Sequence, residues 1–250
     1  MKRRRLLQRA ALTAPVLASS ALRARVAAKP DLKARLALGY DNFAVRAMGW
    51  KAPELIDYAA RLKCDTLFIT DFGPFEKMDD GYLGDLRKKA ADAGVGLLLG
   101  SWSICPTSKT FKKDWGTADE HLRLGIRAAR ALGSPAFRVI LGADRDRRTE
   151  GGIEARIADT VKVLKRNRTR CLDAGIKIAM ENHAGDMHTL ELRGLIEEAG
   201  PDFVGANFDS GNAVWTMEDP VQALENIGKY VLTTSLRDSA LWESENGVTV

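Results

Sequence analysis

Short apolar runs alternate with amphipathic segments along most of this chain, and they recur at roughly 25–35-residue intervals. Apolar runs without polar alternation are typical of parallel strands that helices cover on both faces. We predict seven strands, at residues 36–40, 66–70, 95–100, 137–141, 176–180, 204–208 and 230–236. Helices are predicted between them, at residues 53–62, 82–93, 117–132, 153–172, 190–199 and 220–227. No G-x-G-x-x-G sequence follows any strand, so we predict an α/β fold of the (β/α)8 TIM-barrel type rather than a doubly wound sheet.

The first 28 residues differ in composition from the rest. They contain seven basic residues and no acidic one, and their removal changes the formal charge from +5 to −2. The run Arg3-Arg4-Arg5-Leu6-Leu7 resembles a twin-arginine export motif, and residues 10–22 are weakly apolar but too short for a stable membrane span. We therefore predict that residues 1–28 are a twin-arginine-type signal segment and that the protein is exported to the periplasm. The alternative is a basic helix on a cytoplasmic enzyme.

Residues 29–250 contain no linker and no break in composition, so we predict a single domain. Their formal charge of −2 offers no excess of basic residues to attract phosphates. No nucleic-acid partner is expected.

Polar residues stand at the carboxyl ends of two predicted strands. Glu181, Asn182 and His183 follow one apolar run, and Asp209 follows the next, with Asn212 shortly after it. In a parallel barrel these strand ends meet at one mouth, where buried charges are costly unless a cation or ligand needs them. We predict a metal site there. In the alternative, Glu181 bridges backbone amides, Asp209 caps a turn and His183 satisfies a local hydrogen bond.

Three strand ends in order read Glu-Asn-His, Asp-Ser-Gly-Asn and Ser-Leu-Arg-Asp. Over residues 35–238 this order resembles the xylose isomerase-like barrel family of sugar-phosphate isomerases and epimerases. The resemblance implies one divalent metal ion per chain, with Glu181 and Asp209 as two of its ligands. Relatives add a strand-seven histidine, in the motif His-apolar-Lys-Asp, and a strand-eight glutamate. Here Ser235 stands at the histidine position and Arg237 at the lysine position.

The sequence after Asp238 contains no eighth apolar run. We therefore expect an incomplete barrel of seven strands that lacks its last βα unit. Either the chain is a truncated gene product or it needs a partner to close the barrel, for which a homo-oligomer would suit, because the first and last strands would otherwise be unpaired edges.

The family resemblance implies removal of a proton from a carbon next to a carbonyl, with the metal polarising the carbonyl and Glu181 as the base. Oxygen-rich ligands suit Mn²⁺, Mg²⁺ or a similar ion. We predict that His183, Asn207, Asn212 and Arg138 contact a small-molecule sugar substrate. The alternative is a degenerate barrel that binds a carbohydrate or a partner without catalysis. A DNA-repair endonuclease of the same superfamily is disfavoured, because it would need many histidines and the chain has three.

Three other polar features receive no catalytic role. His121 lies within a predicted helix and His188 near a helix start, and we predict that both are surface or capping residues. The charged loop 145–148 is predicted to be solvated.

Overall fold

The computed structural model describes residues 36–245 and 247–249. Seven strands form one parallel sheet in the order in which they follow along the chain. They are β1 (Gly39–Asp41), β2 (Thr66–Ile69), β3 (Gly96–Ser103), β4 (Ala136–Ile140), β5 (Lys177–Glu181), β6 (Val204–Asp209) and β7 (Val231–Ser235). Within the described residues β1 and β7 do not pair with each other, so the sheet is open between them. The prediction of an incomplete (β/α)8-type barrel with seven strands is confirmed.

Helices connect the strands. They are α1 (Ala52–Arg61), α2 (Asp80–Asp92), α3 (Ala118–Leu132), α4 (Gly152–Ala174), α5 (Thr189–Ala199), α6 (Ser210–Ala213) and α7 (Pro220–Ile227). Short 3-10 helices cover Asn42–Met48, Asp144–Arg148, Val214–Thr216 and Gly228–Tyr230. An antiparallel hairpin of β8 (Trp242–Ser244) and β9 (Gly247–Thr249) follows the sheet and was not predicted from the sequence.

Helix α3 shows how local sequence signals set the element boundaries. The Thr117 hydroxyl accepts a hydrogen bond from the backbone N–H of Glu120, whose carboxylate accepts one from the backbone N–H of Thr117 in return. Gly133 ends the helix with a positive φ of 77°. Gly125 lets α3 approach β4, because a Cβ at this position would lie 2.1 Å from the ring of Phe137.

The prediction for His121 is wrong, and the prediction of a solvated loop at 145–148 holds for the exposed Arg145 and Arg148 but not for Asp146. His121 lies on the inward face of α3 and is 2% exposed, with its Nε2 atom 2.7 Å from the hydroxyl of Ser101. In the loop 145–148, Asp146 is fully buried and accepts hydrogen bonds from the Ser108 hydroxyl and from the backbone N–H of Lys109. Both side chains complete hydrogen bonds between elements that are distant in sequence, and the sequence pattern does not reveal such partners.

His188 takes the capping position that was predicted for it, immediately before α5. In the part of the chain that the structure describes, no helix combines the length and the apolar composition needed to cross a membrane. The predicted signal segment, residues 1–28, lies outside the described residues.

Candidate active site

A cavity of about 890 Å³ is lined by residues of the sheet strands and extends to the carboxyl ends of those strands. This volume is within the range of about 300–1,000 Å³ that is usual for small-molecule pockets. Polar and charged residues on its wall near those strand ends include Asp41, Arg138, Glu181, His183, Asp209, Asn212, Ser235 and Arg237. Five of the six predicted site residues therefore line one cavity, together with an arginine that was not predicted to take part.

Glu181, the last residue of β5, is 2% exposed and is held by three hydrogen-bond donors. Arg138 on β4 donates through Nε to Glu181 Oε2 at 2.5 Å, and the Asn207 amide donates to the same oxygen at 2.8 Å. The Asn212 amide donates to Oε1 over a longer distance, 3.2 Å. The second guanidinium nitrogen of Arg138, Nη1, donates to the backbone carbonyl of Ser101. Glu181 thus sits in a buried ion pair with a fixed orientation.

Asp209, the last residue of β6, is engaged by a second arginine. Arg237 Nε lies 3.0 Å from Asp209 Oδ1 and 2.9 Å from Oδ2, and Arg237 Nη2 donates to the amide oxygen of Asn212. The backbone N–H of Asn212 donates to Asp209 Oδ1 at 2.8 Å, so the carboxylate also caps α6, as the capping alternative anticipated. Asn212 contacts both carboxylates and thereby joins Glu181 to Asp209.

His183 follows β5 and lies on the cavity wall. Its Nδ1 atom is 2.7 Å from the carbonyl oxygen of Gly142, which can only accept, so Nδ1 carries the proton of the neutral ring. The Nε2 atom is then an acceptor. Asp186 holds the loop that follows β5 and contains His183. Its fully buried carboxylate accepts hydrogen bonds from the backbone N–H groups of His183, Gly142 and Met187.

Asn207 was predicted to contact the substrate, but the structure gives it a supporting position. It is fully buried in β6. Its amide nitrogen donates to Glu181 and, at 3.3 Å, to the Ser235 hydroxyl, while its amide oxygen accepts from the Thr233 hydroxyl. Because these partners already use the polar atoms of Asn207, its effect on a ligand would pass through Glu181.

Burial has the largest effect on the pKa values of Arg138, His183 and Asp209. Burial alone would lower the pKa of Arg138, but the charge and hydrogen bond of Glu181 raise it above its usual value. Burial and the Glu181 charge raise the pKa of Asp209 to about 6, although Arg237 acts in the opposite direction. Burial lowers the pKa of His183. At neutral pH the site therefore contains charged arginines and a neutral imidazole.

The residues at the mouth do not fit the divalent cation that the family resemblance implies. Throughout the described part of the chain, no group of three or more histidine, cysteine, aspartate and glutamate side chains could hold a metal ion. Glu181 and Asp209 would be two ligands, but each contacts a guanidinium instead. Ser235 offers only a hydroxyl at the histidine position.

The chain belongs to the xylose isomerase-like TIM barrel family, whose profile matches residues 44–240. The family resemblance stated from the sequence is therefore confirmed. No curated protein sequence matches this chain.

Solved structures with the same fold include several sugar-processing enzymes. An L-ribulose 3-epimerase is 17% identical with a TM-score of 0.64, over 80% of this chain and 69% of that chain. The IolI protein, solved with a zinc atom, is 15% identical with a TM-score of 0.63, over 80% and 72%. The 3-keto-D-glucoside 4-epimerase YcjR from E. coli is 14% identical with a TM-score of 0.59, over 85% and 83%. At these identities the similarity establishes the fold.

Sequence reasoning missed Arg237, Asn182 and Asp186 as residues that build this site. Asn182 exchanges two hydrogen bonds with the backbone of Asp209 and so ties the end of β5 to the end of β6. Arg237 could have been found, because it follows a strand end in the same way as the acidic residues. Asp186 carried no such signal, since it lies in a loop and its partners are backbone amides.

Proposed function

We propose that this protein is a sugar isomerase/epimerase-like enzyme. It binds a small sugar in the mouth cavity, removes a proton from a carbon next to a carbonyl, and returns a proton to carbon. The observation that carries the proposal is the position of Glu181, a buried carboxylate on the cavity wall beside the guanidinium of Arg138. Membership of the xylose isomerase-like family supports the same class of reaction. The epimerase activities named for the structural neighbours belong to those proteins and agree with this choice.

In the proposed reaction, Glu181 takes the proton from the carbon next to the carbonyl, and the protonated Glu181 then returns a proton to a carbon of the enediolate. Its Oε1 atom is the candidate base, because its contact with Asn212, at 3.2 Å, is the longest of the three hydrogen bonds and is the most easily replaced by substrate. Arg138 Nη2 has no hydrogen-bond partner among the described residues, while Nε and Nη1 are engaged. Donation from Nη2 to the carbonyl oxygen would stabilise the negative charge of the enediolate.

His183 and Asn212 complete the proposed substrate contacts. The Nε2 atom of a neutral His183 accepts a hydrogen bond from a sugar hydroxyl, and its position on the cavity wall permits this contact. Asn212 contributes an amide that already lies between the two carboxylates. Asp209 orients Asn212 and Arg237 and thereby shapes the same wall.

Exchange of carbon-bound hydrogen for deuterium in candidate sugars tests the enzyme proposal. A panel of ketoses and aldoses, with and without phosphate, is incubated with the protein in D₂O and followed by NMR. We expect exchange at a carbon next to the carbonyl of at least one sugar. Glu181→Gln should reduce its rate by about 10²–10⁴-fold. The matched control Glu197→Gln, which changes an exposed glutamate on α5, should leave the rate unchanged.

The second candidate is a degenerate barrel that binds a carbohydrate without converting it. The specific observation in its favour is that both carboxylates are engaged by arginines and amides, so that each of their oxygens already accepts a hydrogen bond. A sugar that binds in calorimetry, with no exchange in D₂O and no isomeric product, would establish this candidate and contradict the enzyme proposal.

We further propose that the chain is exported by the twin-arginine route, on the basis of the sequence of residues 1–28 alone. Cell fractionation of the wild type should place the protein in the periplasm. Arg3→Lys with Arg4→Lys should retain it in the cytoplasm, whereas Arg23→Lys, the control within the same segment, should not.

A further inference from the structure

Four of the charged side chains at the mouth form two ion pairs, and the side chain of Asn212 contacts both pairs. Arg138 pairs with Glu181 at 2.5 Å, and Arg237 pairs with Asp209 at 2.9 Å. The side chain of Asn212 donates to Glu181 and accepts from Arg237. Each of these two carboxylates is therefore paired with a guanidinium. Asp41, a third carboxyl group on the same wall, has a pKa that burial raises above its usual value.

The backbone of Arg237 is anchored to the side chain of Ser210. Its N–H donates to the Ser210 hydroxyl at 2.9 Å, and the same hydroxyl donates to the Arg237 carbonyl oxygen at 2.6 Å. Gly211 makes room for the side chain, because a Cβ there would lie 2.8 Å from Arg237 Cγ. The first turn of α6 thus anchors the backbone of Arg237, while its side chain, which is 48% exposed, is held by Asp209 and Asn212.

This position conflicts with a divalent cation. Both oxygens of Asp209 face Arg237 Nε, and the amide oxygen of Asn212 faces Nη2, so the same guanidinium engages three oxygens that could bind a metal. A cation beside Asp209 would also meet the positive charges of Arg237 and of the buried Arg138, which repel it. Ser235 pairs in register with Asp209 and its hydroxyl is near Asn207, so the inward position on β7 carries no strong metal ligand.

We propose that Arg237 supplies, beside Asp209, the positive charge that a metal ion would otherwise supply at this mouth. The centre then works without a divalent cation. The claim concerns cation binding and does not depend on the identity or turnover of a sugar. Its failure is therefore distinguishable from failure of the function proposed above.

Isothermal titration with MnCl₂ and with ZnCl₂ tests the proposal on the full-length protein after treatment with EDTA. The wild type is expected to show no saturable binding of either ion. The double variant Ser235→His/Arg237→Ala frees Asp209 and adds an imidazole at the inward position of β7. It should gain one saturable site per chain, and adding Asp209→Asn should remove that site. Arg193→Ala, which deletes one exposed arginine on α5, is the charge-matched control and should bind no ion.

A second measurement needs no variant. The unfolding temperature of the wild type should be the same in EDTA and in excess Mn²⁺, whereas an ion at about 100 times its Kd would raise it by several degrees. One Mn²⁺ or Zn²⁺ bound per wild-type chain, and lost in Asp209→Asn, would overturn the proposal. A double variant that keeps the wild-type circular dichroism but gains no site would also overturn it, because Arg237 would then not be what excludes the cation.

Discussion

The buried pair of Arg138 and Glu181 permits a quantitative prediction about stability. The substitution Arg138→Met keeps most of the unbranched stem of the side chain but removes its charge and its donors. Glu181 would then remain buried with two amide donors and no counter-charge. The backbone carbonyl of Ser101 would also lose its hydrogen bond from Nη1.

The size of the effect follows from burial and distance. The side chains of Arg138 and Glu181 are 10% and 2% exposed, and the closest N–O distance is 2.5 Å. Two charges centred about 4 Å apart interact by about 4 kcal/mol at an effective dielectric constant of about 20. Removal of one partner from a buried ion pair typically costs about 3–5 kcal/mol. We therefore expect Arg138→Met to lower the free energy of unfolding by about 4 kcal/mol.

The double variant Arg138→Met/Glu181→Gln should cost less than the sum of the single variants, because it leaves no uncompensated charge. We expect a coupling energy of about 3 kcal/mol in this double-mutant cycle. Urea unfolding followed by tryptophan fluorescence and by circular dichroism measures all four proteins. Arg193→Met, at an exposed ion pair, should leave the urea midpoint unchanged. A loss below about 1 kcal/mol for Arg138→Met, or a coupling energy near zero, would refute the reasoning.

Three further predictions concern the scaffold. Burial lowers the pKa of His121 to about 4, against 6.5 for the free side chain, so the folded state stays neutral where the unfolded state takes up a proton. Stability should therefore fall by about 3 kcal/mol as the pH drops from 6.5 to 4, and His121→Gln should remove that part of the slope in urea titrations at several pH values. Gly125→Ala should cost about 3 kcal/mol in thermal unfolding, because its Cβ meets the Phe137 ring, whereas Gly194→Ala on α5, with open space around it, should gain about 0.5–1 kcal/mol. Thr117→Ala should cost about 1 kcal/mol in the same assay through loss of the α3 cap, and an unchanged unfolding temperature would contradict that role.

The strands and helices were predictable because their signals are local. The apolar run before Glu181 and the run before Asp209 became β5 and β6, and each strand ends at its acidic residue. The helix predicted at residues 220–227 begins at Pro220 and ends at Ile227, because proline favours a first turn and Asp219 caps it. The hairpin β8–β9 was missed, since its strands are only three residues long and carry no alternating pattern.

The sequence by itself determined that acidic strand ends meet at one mouth, because parallel strands of similar length bring their carboxyl ends to the same edge. It did not determine what those acids contact. Arg138 precedes Glu181 by 43 residues, and Arg237 follows Asp209 by 28, so only the curvature and register of the sheet bring each guanidinium to its carboxylate. Tertiary structure therefore decided that each carboxylate contacts a guanidinium, because such a contact depends on side-chain distances of a few ångströms, which the spacing of apolar residues does not encode.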